Sequence, residues 1–329
     1  MKNTMRRFIA VLLAIMLLLA MTACGGKEKA ADSLNIAIVK QMDHPSLDEI
    51  AAAIAARLDA IAAEQGITIE YDVYSGQGDQ TTLKQIGDQA VAEGVDAIIP
   101  IATTAAQVIA VCAEESGTPV IFAAVSDPVT ARFTDIAHVT GTSDALNTEF
   151  IMDMLFAQQP DADHIGLLYS LSEPNSAVAI AEAKAYLEGR GVKYTEMTGN
   201  TNDEVITAAD VLISEGVDAV FTPTDNVVMA AEPAIAGGFA DAGIAHYTGA
   251  DSFVRSGAFA TCGVNYTDLG ADTADLAYRA IAQDMDAMED FYKIDGGIIT
   301  VNTETADALG ADYSMFADMG EIVEVTTQE

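Results

Sequence analysis

Tryptophan is absent from this 329-residue chain, cysteine occurs three times, histidine four times, and 15 lysines and arginines face 50 acids. A formal net charge of −35 leaves no basic footprint for nucleic acid or anionic lipid. The acids are spread along the chain rather than gathered in a tail, so they read as a heavily solvated surface. Motifs of several common catalytic classes are also missing. There is no GxSxG, HExxH, CxxC or GxxxxGK[ST], and no GxGxxG in a strand-to-helix turn. Cys112 and Cys262 fall inside regular elements and read as small buried hydrophobes rather than a disulfide or a catalytic pair. No low-complexity segment and no transmembrane stretch follow the N-terminus.

The N-terminus itself is well marked. Residues 1–7 carry Lys2, Arg6 and Arg7, residues 8–21 are apolar but short for a membrane span, and Thr22-Ala23-Cys24 follows. This pattern predicts a signal peptide over 1–23 and a tether over 24–33. Cys24 would take lipid as the first mature residue. The alternative is an ordinary secretory signal with an incidental cysteine. Without the signal, 12 bases face 50 acids, a balance of −38. Diacylation plus an N-terminal acyl chain exceeds what stable anchoring needs.

The rest of the chain contains a long repeat. EGVDA occurs at 93–97 and again at 215–219, each time after a helical run and before an apolar strand-like one. LNIAIV at 34–39 and HIGLLY at 164–169 are matching first strands. A repeat of this length carrying both strand and helix predicts two similar α/β lobes with a cleft between them. Strand and helix alternate strictly, which gives parallel, doubly wound sheets with functional loops beyond the carboxyl ends of the strands. The first lobe is expected over 34–140 plus 266–296 and the second over 141–265 plus 297–329. HVTGTSD at 138–144 reads as the first crossing, a helix is expected over 266–288, and 250–255 reads as a loop.

The post-strand loops are rich in hydroxyls, amides and single charges. A small zwitterion captured there needs donors for its carboxylate, an acceptor for its ammonium and a dry slot for its side chain. Thr103-Thr104 and Asn175-Ser176 open helices, where backbone N–H groups and the dipole favour an anion, although such residues also cap their own helices. Asp225, Asp251 and Asp127 are candidate counter-ions for the ammonium. Each could equally be a turn-former. Met42, Tyr169, Phe253 and Tyr266 are candidates for the slot, with Tyr266 read more readily as a packing residue. Thr224 and Asn226 flank Asp225. His44 is the one candidate acid or base, and equally a loop hydrogen-bonder. His164 and His246 read as strand-edge residues.

Taken in order, IAIVKQMDHPSLDE, AVSDPVTA, HVTGTSD, EPNSAVAI, FTPTDNVV, GADSFVRSGAFAT and GVNYTDLGADTADLA span nearly the whole mature chain. Together they resemble the solute-binding lipoproteins of bacterial ABC transporters, in the group associated with aromatic amino acid uptake. The resemblance implies a type I periplasmic-binding fold with hinged lobes, no catalysis, no cofactor, and permease and ATPase partners. It also implies a cleft lined by His44, Ser126, Asp127, Asn175, Ser176, Asp225, Asn226 and Asp251. The extreme acidity departs from the group, as does Thr103-Thr104 where Thr followed by Pro or Ala is expected. A monomer anchored outside the cytoplasm through lipid fits this reading. Two alternatives stay open. One is a sugar, nucleoside or signal-molecule binder of the same fold, although it would lack tryptophan for stacking. The other is a racemase-like enzyme using Cys112 and Cys262.

Overall fold

The computed structural model describes residues 33–283 and 285–328. The expected signal peptide, Cys24 and nearly all of the tether lie outside the described residues. In chain order the first elements are β1 (Ser33–Lys40), α1 (Pro45–Gln65), β2 (Thr68–Ser75), α2 (Gln80–Glu93), β3 (Ala97–Ile101), α3 (Thr103–Ala113), β4 (Val120–Phe122) and β5 (Val139–Ser143). Next come α4 (Thr148–Gln158), β6 (His164–Tyr169), α5 (Ser176–Arg190), β7 (Lys193–Thr198), α6 (Asn202–Glu215), β8 (Ala219–Thr222), α7 (Asn226–Asp241), β9 (Ala245–Thr248), α8 (Asp251–Arg255) and β10 (Ala260–Val264). The last are α9 (Tyr266–Gln283), β11 (Tyr292–Lys293), β12 (Gly296–Asn302), α10 (Thr303–Leu309) and β13 (Ile322–Val325).

Two sheets result, ordered β11-β5-β4-β3-β1-β2 and β13-β12-β10-β9-β8-β6-β7. All pairings are parallel except β10 with β12. The runs β5-β4-β3-β1-β2 and β10-β9-β8-β6-β7 have the same order, so the sequence repeat is a repeat of topology. Strand order turns back at β1/β3 in one sheet and at β6/β8 in the other. Loops that follow these strands therefore diverge and leave a crevice.

Local sequence explains the elements. Buried on both faces, β3 is all apolar or proline (AIIPI). Pro45 starts α1, where its missing N–H costs nothing, and Gly66 ends it in the left-handed region. Leu47, Ile50, Ile54, Leu58 and Ile61 give α1 one buried stripe. Against it lies α9, so close that a Cβ on Gly270 would stand 2.7 Å from the Ala53 Cβ and 2.8 Å from the Ile50 carbonyl oxygen. Only glycine allows that approach.

Several expectations are corrected. HVTGTSD forms strand β5 of the first sheet rather than a crossing, because Val139–Ser143 pairs with β4 and is fully buried. The first sheet thus holds the chain to residue 143, three beyond the expected boundary. The chain passes between sheets at 144–147, at 265 and at 294–295. The helix expected over 266–288 ends at Gln283, with a 3-10 turn at Met285–Ala287. Residues 251–255 are helical rather than loop. His164 and His246 are buried, not edge-exposed, and His246 lies between Glu232 and Thr222.

Candidate functional site

The crevice residues come from the strand ends that topology singles out. His44 and Ser46 follow β1, Ala102 and Thr103 follow β3, and Ala124 and Ser126 follow β4. From the other lobe come Asn175 after β6, Thr224, Asp225 and Asn226 after β8, and Ala250 and Phe253 after β9. Asp144 and Tyr266, at two of the three crossings, also line it, as do Leu47 and Met229.

Direct hydrogen bonds join the lobes across this crevice. Gln41 Nε2 donates to Glu173 Oε1 at 2.6 Å, and His44 Nε2 lies 3.0 Å from Asn226 Oδ1. The Ser46 and Ser252 hydroxyls meet at 2.5 Å, and those of Ser126 and Thr224 at 3.1 Å. The lobes are therefore shut, and the inner cavity has a volume of only about 20 Å³. That holds about one water. An amino acid can enter only if the lobes part. A chamber of about 230 Å³ adjoins the cavity, sharing Ser126, Asn175 and Thr224 and walled by Pro128, Leu146, Val178 and Phe291.

Two hydroxyls hold the Asp144 carboxylate. Ser126 Oγ donates at 2.9 Å and Tyr266 OH at 3.1 Å. The residue is buried, has no ion-pair partner among the described residues, and burial pushes its carboxyl above the usual range. Both its partners also line the cavity, so the group sits at the hinge and faces the crevice. His44 is 5 % exposed, and burial holds its imidazole down to about 4, neutral at physiological pH. Three side chains of the lining carry buried polar atoms without a partner: His44 Nδ1, Thr103 Oγ1 and Asn175 Oδ1. Such atoms cost free energy unless something meets them. No side chain caps α3. Its N-cap Ala102 has φ 79°, and Ala124 across from it has φ 54°, strained values for alanine placed where the cavity is lined. Leu47, Met229, Phe253 and Tyr266 supply the apolar wall.

Of the residues named from sequence, His44, Thr103, Ser126, Asn175, Thr224, Asp225 and Asn226 come together in this lining. Five do not reach it directly. Thr104 is buried but outside the lining, with its hydroxyl unpartnered. Ser176 gives its hydroxyl to Asp225 at 2.6 Å. Asp127 faces the adjoining chamber and accepts the Thr130 N–H. Tyr169 donates to Glu196 on β7. Asp251 pairs with Arg255 outside the cavity. Met42 likewise packs against the core. Asp225 is in the lining but already accepts from the Ser170, Val227 and Val228 amides and the Ser176 hydroxyl. It is a helix cap and a brace rather than a free counter-ion. Asp144 and Glu173 also belong to the site and are not among the residues that the sequence singles out. Their signals were faint: Asp144 ends the HVTGTSD run, and Glu173 opens the EPNS loop.

A family model described as "ABC transporter substrate binding protein" matches residues 35–315. The chain is 28% identical over 280 residues to a tyrosine-binding protein of Clostridioides difficile (strain R20291), covering 84% of this chain and 80% of that protein. It is similar to a crystal structure of an ABC domain in complex with L-Trp from Streptococcus pneumoniae, with 27% identity and TM-score 0.79. That match covers 88% of this chain and all of the other. A ligand-free, open substrate binding protein with adhesive properties from Clostridium difficile is 28% identical, with TM-score 0.67 over 90% of this chain and all of that one. At similar identity the TM-score is higher against the L-Trp complex than against the ligand-free, open structure.

Proposed function

We propose that this chain, which belongs to the ABC transporter substrate binding protein family, captures a free amino acid with an aromatic side chain by closing its lobes. It then presents the ligand to the permease and ATPase of an importer. Members of the family work outside the cytoplasm, and no helix among the described residues is long and apolar enough to cross a membrane.

One observation carries the reading. A buried carboxylate without a cation, Asp144, shares a crevice with an uncapped helix start at Thr103 and a wall of Leu47, Met229, Phe253 and Tyr266. An ammonium suits the first, a carboxylate the second, and a ring the third. Similarity to a tyrosine-binding protein and to a Trp complex supports the same class of ligand. Closure buries the ligand at the hinge, so ligand binding favours the shut form that the transporter meets.

Binding without catalysis fits the cysteines. Cys112 lies on α3 against Gly87 and the Lys84 carbonyl, away from the crevice, and burial pushes the thiols of Cys112 and Cys262 upward, away from reactivity. Lipid attachment at Cys24 and a monomeric mature chain complete the proposal. Metabolic labelling with a fatty acid, lost in Cys24→Ala, tests the first, and light scattering tests the second. Calorimetric titration with the twenty amino acids and with common sugars tests the ligand. Binding of tryptophan, tyrosine or phenylalanine is expected. Silence toward all three, or a preference for a sugar, overturns the reading.

A further inference from the structure

A buried side-chain network spans the lobe seam and ends at an unpaired nitrogen. Glu173, 4 % exposed on the second lobe, receives one amide N–H on each oxygen: Gln41 Nε2 on Oε1 at 2.6 Å and Asn226 Nδ2 on Oε2 at 2.6 Å. With its NH₂ turned to the carboxylate, Asn226 presents its carbonyl to His44 at 3.0 Å. A carbonyl only accepts, so His44 Nε2 must carry the hydrogen. His44 Nδ1 is then a bare lone pair, buried and without a protein partner, on a residue that lines the cavity. Gln41 and His44 belong to one lobe, and Glu173 and Asn226 to the other. The relay is complete only when the lobes shut.

We propose that Glu173 is a positioning residue which, through Asn226, fixes the His44 tautomer on closure. The cleft thereby presents an acceptor at Nδ1 and selects ligands that carry an amine. This rests on the amino acid reading above and deepens it. The closed cleft tests the ligand for an N–H donor, and an analogue without the amine leaves Nδ1 buried and unmet. The relay depends on the ionised carboxylate, because a protonated Glu173 can donate to the Asn226 carbonyl and turn the amide around. Asp225 is the acid facing Glu173, and His44 is the titratable group at the far end. Burial and Asp225 push Glu173 upward, so the relay weakens as pH falls through the neutral range rather than in acid.

Calorimetry with L-phenylalanine and 3-phenylpropionate, on wild type and on Glu173→Gln, gives the test, together with ¹⁵N NMR of His44 in the phenylalanine complex. A glutamine keeps the shape but can show Asn226 either an N–H or a carbonyl. At about pH 8.5 wild type should be dominated by the Nε2–H tautomer. E173Q should show a mixture, with the preference for the amine falling about tenfold, the weight of one hydrogen bond. Ser252→Ala, which removes a cross-lobe bond outside the relay, should weaken both ligands by the same factor. The wild-type preference should shrink from about pH 8.5 to about pH 6.5 while that of E173Q stays flat. An unchanged tautomer, or an unchanged amine preference in E173Q, overturns the inference and leaves the amino acid reading standing. A wild type that binds no amino acid overturns both.

Discussion

Replacing Asp144 with asparagine should move affinity and stability in opposite directions. The carboxylate is fully buried, held by two hydroxyls, and has no cation to offset its charge. Either hydroxyl can reverse to accept from the new NH₂ while the other goes on donating to the carbonyl, so the asparagine loses the charge and little else. Removing an unpaired buried charge should stabilise the ligand-free protein by about 1–3 kcal/mol, or roughly 2–8 °C in Tm. If the ligand ammonium is its missing partner, the same change should cost about 2–5 kcal/mol of binding, roughly 30-fold to several thousandfold. The sign with pH follows. A carboxyl raised in the folded state contributes stability that is fully present below its ordinary pKa near 3.8 and is lost as pH rises through its raised value. The Tm advantage of Asp144→Asn should therefore be smallest near pH 4 and widen toward neutrality. Differential scanning calorimetry across pH and titration with L-tryptophan read both quantities. A Tm that falls while affinity is kept would show that Asp144 is a structural brace and that the ammonium sits elsewhere.

Three further outcomes can be checked on the same preparations. Burial holds His44 down to about 4 in the shut form, below its ordinary 6.5, and opening relieves that burial, so closure has its full His44 contribution above pH 6.5 and loses it as pH falls toward 4; affinity should drop over that window in wild type and less in His44→Gln. Ala102→Gly relieves a φ of 79° at the start of α3 and should raise stability by about 1 kcal/mol by chemical denaturation, where the same change at an unstrained site would lower it. Gly249→Ala would place a Cβ 2.6 Å from the Thr224 amide nitrogen and 2.7 Å from the Pro223 carbonyl carbon; the loop carrying Thr224, Asp225 and Asn226 must then shift, and ligand affinity should fall at least tenfold, with the far-UV spectrum unchanged.

The architecture could be read from the sequence because its determinants are local. EGVDA marks a helix stop and the start of a strand, and a glycine in the left-handed region closes the helix at both copies, Gly94 and Gly216. Alternating strands and helices then send the post-strand loops to one end, which is why seven of the loop residues meet in one lining. What remained hidden is which of two uses each polar residue has. Asp225 and Asp144 are both aspartates beside strand ends with hydroxyls nearby. One spends its oxygens on the first turn of α7 and the other is held open at a crossing, and that depends on partners 55 and 122 residues away. Glu173 is harder still, since an acid before Pro-Asn-Ser reads as solvated turn. It is buried because the opposing lobe brings Gln41 across 132 residues to meet it. That last contact forms only when the two halves meet. Sequence periodicity therefore locates the crevice, but the charge pattern inside it follows from closure. The chemistry that selects the ligand is thus assembled by the motion that traps it.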